Sequence, residues 1–270
     1  MSGETDKKQV TATLVGEWAA LDALLGGLSA EQWAAPTCLP GWRVTDVVAH
    51  LIGTEAMLAG DPTPETGVDV RALPHVRNDI GAFNEQWVTA LRYEEPAAML
   101  ARFRDVTVRR TAALEAMSEE EFAAPSWTPA GQATYARFMR IRVYDCWMHE
   151  QDIRAALDIP GHEAGPAPEA ALEEASHALG LIVGKRAAAP DGSTVLVDLV
   201  GPVHRALTVK VDGRAHLVPA TDDPPTAALR LTSSLFLRLC GGRPAPDPAV
   251  DLSGDRELAR RVLDELAFTI

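Results

Sequence analysis

Asp145 and His149 stand four residues apart in the stretch "RVYDCWMHEQDIR" at residues 142–154. On a helix that spacing puts a carboxylate and an imidazole on one face, roughly 6 Å apart, close enough to share a cation. Taken alone, such a pair reads as a solvated ion pair decorating a helix surface. The helical wheel argues for burial instead. Counting back by threes and fours from Asp152 gives His149, Asp145, Arg142, Phe138 and Tyr135, the seam by which a helix packs on its neighbours. The seam begins apolar and turns ionic. Each unpaired charge buried there costs several kcal/mol, so these groups must pair, hydrate or bind something. A bundle interior is where metal ligands from facing helices meet, and this pair then needs a third ligand. His50, flanked by Val47 and Leu51, is the candidate, against the alternative of a core histidine bonded to a carbonyl. Cys146 lies about a quarter turn from the pair and reads as packing.

The elements that must position these residues are legible in the apolar periodicity. A first helix is expected over about residues 5–27, with Val10, Leu14, Trp18, Leu21 and Leu25 at helical spacing. A second, over about 43–59, carries His50 beside the seam Val44, Val47, Leu51, Thr54 and Leu58. A third runs over about 78–93, and Pro96 suits the first position of a fourth that reaches Met117. The fifth, about 132–157, carries Asp145 and His149. An internal echo supports this parsing: "LSAEQWAAPT" from Leu28 aligns without gaps to "MSEEEFAAPS" from Met117. Ser29 with Gln32, and Ser118 with Glu121, have the spacing of a capping box, so each copy predicts a short helical elbow. Trp33 and Phe122 take the same apolar position, and Pro36 and Pro125 end the turn.

After about residue 160 the texture changes. One more helical stretch, to about Ala187, leads into "STVLVDLVG", "HRALTVKVDG" and "AHLVPA", which alternate apolar with polar at period two. Gly201-Pro202 and Asp212-Gly213 are turn dipeptides between them, so hairpins and an antiparallel sheet are expected. "TAALRLT" and "AVDLSG" read as further strands, "SSLFLRLCGG" as a short helix, and the final segment as an amphipathic helix with Leu258, Val262, Leu263 and Leu266 facing the sheet. The expected fold class is α+β: a helical bundle over 1–160 and a smaller α+β domain over 161–270.

The whole chain narrows the function classes. Its 270 residues, 47% hydrophobic and 23% charged, form a globular mixture rather than a disordered one. The opening "MSGETDKKQV" has no apolar signal region, and no run approaches the ~20 residues that span a bilayer, so a cytoplasmic protein without membrane partners is expected. Cys38, Cys146 and Cys240 are too few and scattered for a disulfide framework. A formal charge of −13 with no basic, aromatic-rich cluster argues against nucleic acid. Small molecules are the expected partners.

"LPGWRVTDVVAHL", followed at a distance by "RVYDCWMHEQDIR" and a strand-rich tail ending "LSGDRELARRVLDEL", resembles the mycothiol-dependent maleylpyruvate isomerase family across nearly the whole chain. The resemblance implies a DinB-like four-helix bundle followed by a sterol-carrier-like α+β domain. It also implies a divalent metal, usually zinc, held by His50, Asp145 and His149. Asp145 departs from the family pattern, which has the longer Glu there. Three N/O ligands leave a coordination position open, the mark of a catalytic site. The implied cofactor is mycothiol, a low-molecular-weight thiol bound as a thiolate, which adds to an unsaturated or electrophilic substrate and in the namesake reaction is later eliminated. Asp152 either orients the free imidazole N–H of His149 or pairs with Arg142 or Arg154. The competing functions are a mycothiol S-transferase and a non-catalytic metal- and small-ligand-binding protein, acting as monomer or homodimer.

Overall fold

Residues 7–220 and 223–269 are described by the computed structural model of this chain. It divides into two compact units, the first ending at Gly161 and the second starting at His162. In the first unit the elements are α1 (Lys7–Gly26), α2 (Ala30–Trp33), α3 (Val44–Leu58), α4 (Asp79–Leu91), α5 (Pro96–Ala116), α6 (Glu119–Ala123), a hairpin of β1 (Pro125–Thr128) and β2 (Gly131–Thr134), and α7 (Tyr135–Leu157). The expected start of α1 at Thr5 lies outside the described residues. Helix α1 packs on α5 and α7, and α3 packs on the same two, so the four long helices close a ring. Val10, Leu14, Trp18, Leu21 and Leu25 of α1 are buried, as their spacing predicts. Helix α3 is buried on every side from Val44 to Ala56, which places His50 deep. Part of that enclosure is α4, which reaches α3 closely because Gly53 has no side chain: a Cβ there would lie 2.3 Å from the Trp87 ring.

Both copies of the echo are elbows. Ser29 accepts from Gln32 N and Gln32 Oε1 accepts from Ser29 N; Ser118 and Glu121 repeat the pattern. Trp33 and Phe122 are each 2% exposed. Each elbow then opens a small antiparallel pairing before the next long helix, Pro36 opposite Arg43 and Pro125 opposite Thr134. The second pairing corrects the expectation that α7 starts near Gln132. Residues 131–134 are strand, and the helix begins only where the Thr134 hydroxyl caps Arg137 N.

The second unit contains α8 (Pro166–Ser176), α9 (Leu179–Leu181) with a π turn, β3 (Thr194–Val200), β4 (Arg205–Asp212), β5 (Arg214–Val218), β6 (Ala227–Thr232), α10 (Ser233–Cys240), β7 (Asp251–Gly254) and α11 (Arg256–Asp264). The five strands form one sheet in the order β5-β4-β3-β6-β7. The fold class is α+β, with antiparallel pairings throughout except β3 with β6, which run parallel. Tight turns fix the direction of β4 and β5; β6 reaches β3 after β5 and is held to it by no hairpin. Leu258, Val262, Leu263 and Leu266 are buried, and α11 packs on β6 and β7. No helix among the described residues is long and apolar enough to cross a membrane.

Candidate metal centre

The structure brings His50 of α3 together with Asp145 and His149 of α7. One ligand atom from each lies within 4.8 Å of the others. His50 Nε2 is 3.1 Å from Asp145 Oδ2, and His149 Nε2 is 3.6 Å from Asp145 Oδ1. The two imidazoles meet edge to face at 4.8 Å between centroids. Both histidines are buried, whereas the Asp145 side chain keeps 29% exposure, so the carboxylate is the side of the cluster open to solvent.

The protonation states follow from the surroundings. Burial, partly offset by Asp145, pushes the His50 imidazole below its ordinary value, so it is neutral at pH 7. Burial would raise the Asp145 carboxyl, but Arg142, with His50 and His149, overrides it and holds the group well below the usual carboxylate range. A neutral imidazole at His50 and an ionised carboxylate at Asp145 are the states in which those two side chains can ligate a cation. His50 Nδ1 is buried without a hydrogen-bond partner, so Nε2 alone of its two nitrogens is engaged, and it is engaged with another prospective ligand. Two imidazoles and one carboxylate at these separations are a donor set that could hold a divalent cation.

Around the trio, Asp152 faces His149 Nδ1 at 3.1 Å. A carboxylate only accepts, so His149 donates from Nδ1 to Asp152, which leaves Nε2 as the ring nitrogen toward Asp145. Cys38 donates its thiol to the other oxygen of Asp152 at 3.4 Å. Arg142 donates to Asp145 and, through Nε, to Glu55 at 2.8 Å. Its Nη2 lies 3.4 Å from Cys146 Sγ, so Cys146, read as packing alone, is also a hydrogen-bond acceptor. Arg154 turns elsewhere: Glu150, next to His149 in sequence, holds it at 2.7 and 2.8 Å. Trp42 packs on both imidazoles, 5.5 Å from His50 and 6.2 Å from His149 between centroids. Glu85 fixes the indole, accepting from Trp42 Nε1 at 2.9 Å while also meeting His75 and Arg92 at 3.1 Å. His75, which carries no spacing signal in the sequence, is thus tied to the wall of this site.

Comparison with known proteins identifies the two domains. A family model described as the mycothiol maleylpyruvate isomerase N-terminal domain matches residues 14–154, and the corresponding C-terminal domain model matches residues 169–261. Two uncharacterized proteins of Mycobacterium tuberculosis, from strains CDC 1551 and H37Rv, are each 29% identical over 154 residues, 57% of this chain and 58% of theirs. The chain therefore matches less than two thirds of the length of those curated relatives. Crystal structures of the mycothiol-dependent maleylpyruvate isomerase, one of them a histidine-to-alanine mutant, share 17% identity and a TM-score of 0.59, covering 94% of this chain and 96% of theirs. That likeness is one of fold.

Proposed function

This chain belongs to the mycothiol maleylpyruvate isomerase family, and from that premise we propose that it is a metal-dependent enzyme that activates a low-molecular-weight thiol, mycothiol, for an isomerisation of the maleylpyruvate type. The observation that carries this reading is the convergence of His50, Asp145 and His149 within 4.8 Å. These three residues would hold the ion, and two imidazole nitrogens beside one carboxylate suit zinc. A divalent ion with an open position supplies Lewis acidity that lets a neighbouring thiol lose its proton near neutral pH.

The chain's own residues do the rest. Asp152 keeps the His149 proton on Nδ1, and Arg142 keeps Asp145 anionic and oriented. Trp42 walls the two imidazoles against water, which strengthens every charge interaction among them. The half-exposed Asp145 marks where a small unsaturated acid and a thiol would enter.

Metal analysis and a thiol titration test the reading. Purified protein should carry about one divalent ion per chain, and His50→Ala or His149→Ala should remove it. In the cobalt form a thiol should produce an intense near-ultraviolet charge-transfer band, growing as pH rises because binding releases a proton. Product analysis then separates isomerisation from conjugation of the thiol to an electrophile. A folded cobalt protein whose spectrum ignores thiols at every pH would leave only a non-catalytic binding protein.

A further inference from the structure

Glu55 lies five residues beyond His50 on α3, 1% exposed, with a guanidinium on each of its oxygens. Oε1 accepts from Arg142 Nε at 2.8 Å, and Oε2 accepts from Arg110 Nε at 3.0 Å. Arg110, on α5, is itself 1% exposed and is pinned by the Tyr135 hydroxyl at 2.8 Å, Met139 Sδ at 3.4 Å and the Leu58 carbonyl at 3.5 Å. Arg142, on α7, reaches from Glu55 to Asp145 Oδ2 and Cys146 Sγ. The result is an alternating row of charges, Arg110, Glu55, Arg142 and Asp145, drawn from three helices.

A surface ion pair between Arg142 and Asp145 would leave the guanidinium free to choose either carboxylate oxygen. Glu55 removes that freedom. With Nε committed to Glu55, the planar fork presents Nη1 to Oδ2, the oxygen that also faces His50 Nε2. Oδ1 is left toward His149. Asp145 is half-exposed, so without the fork its side chain would be free to turn to water.

On the reading that the trio holds a divalent ion, we infer that Glu55 is a positioning residue for the metal centre: tethered by Arg110, it locks the Arg142 fork on Asp145 Oδ2 and leaves Oδ1 as the ligand atom. Partners that orient a ligand in this way typically account for about 10- to 100-fold in metal affinity. A carboxylate that only stapled three helices together would contribute to stability and not to affinity.

The test is a zinc titration against a chromophoric chelator at neutral pH, alongside thermal melting of the metal-free protein. Glu55→Gln should weaken zinc binding at least tenfold. Should its uncompensated arginines prevent folding, the double variant Glu55→Gln with Arg110→Met removes one charge of each sign and keeps the row balanced. It should show the same loss of affinity in a folded protein. Glu55→Asp, which keeps the charge, should recover part of it. Folded variants that bind zinc as tightly as the wild type overturn this inference alone. A wild-type protein that takes up no zinc overturns the metal reading and this inference with it.

Discussion

Between Leu28 and Val44, and again between Met117 and Tyr135, the chain makes the same excursion. A capping box starts a short helix, an aromatic residue seals it into the core, a proline opens a strand pairing, and a long helix follows. The closing hydrogen bonds also correspond, Val44 N to Ala35 O at 3.0 Å and Tyr135 N to Ala124 O at 2.9 Å. Each loop even contains a glycine at positive φ, Gly41 at 79° and Gly131 at 93°. The difference lies in what the loops carry. The first presents Trp42 to both histidines and Cys38 to Asp152; the second leaves its tryptophan, Trp127, 60% exposed. Both elbows launch a helix that carries residues of the candidate site, and one of them also forms a wall of it. Shared scaffold should therefore answer to shared mutations, and site chemistry to mutations in the first copy only.

Truncating the buried aromatics gives the largest effect and should treat the copies alike. Trp33→Ala and Phe122→Ala each remove a side chain 2% exposed, at an expected cost of about 3–5 kcal/mol. Chemical denaturation should show losses of similar size. A variant of either residue with wild-type stability would end the equivalence of the elbows.

The loop tryptophans should part company. Trp42→Ala strips the wall from His50 and His149 and takes one donor from Glu85. It should lower thiol affinity or turnover by about tenfold, about 1.4 kcal/mol. Trp127→Ala should leave binding unchanged and stability within about 0.5 kcal/mol. Equal effects from the two would show that Trp42 is scaffold.

Much of this comparison is legible in the sequence, and the limits have physical causes. The echo is visible because capping boxes and a following aromatic are local signals. The pairings after each elbow are not, since β1 and β2 are four residues each and Pro, Gly and Thr in them give no period. His149 and Asp145 declare themselves through spacing on one helix, and His50 through its place on an apolar face. Glu55, Cys38, Trp42 and Glu85 reach the site only through tertiary packing. Arg154 shows the converse: its position in the motif suggests the site, but the turn of the helix aims it at Glu150.

The hydroxyl caps should again treat the copies alike, at a smaller scale. Ser29→Ala and Ser118→Ala each leave backbone donors of a short exposed helix without an acceptor, costing about 1 kcal/mol. Thermal melts at pH 7 should show two similar decreases.

The smallest expected effect separates the copies again, through the third position of each box. The first elbow uses Gln32, which does not titrate; the second uses Glu121. Bonds from the backbone N–H and then the hydroxyl of Ser118 hold the Glu121 carboxyl below its ordinary value. A carboxyl depressed by folding adds stability that is fully present above its unfolded value and is lost as pH falls through the folded value. The second cap should therefore weaken in acid while the first does not. Glu121→Gln makes the second box chemically like the first, so its difference from wild type should be present at pH 7 and vanish as pH falls below the ordinary glutamate range. Gln32→Glu should create the same dependence in the first elbow. The two differences, measured by denaturation from pH 7 downward, should mirror one another. If Glu121→Gln shows a constant difference at every pH, the carboxylate is not acting as the cap, and the chemical likeness of the two elbows ends at their serines.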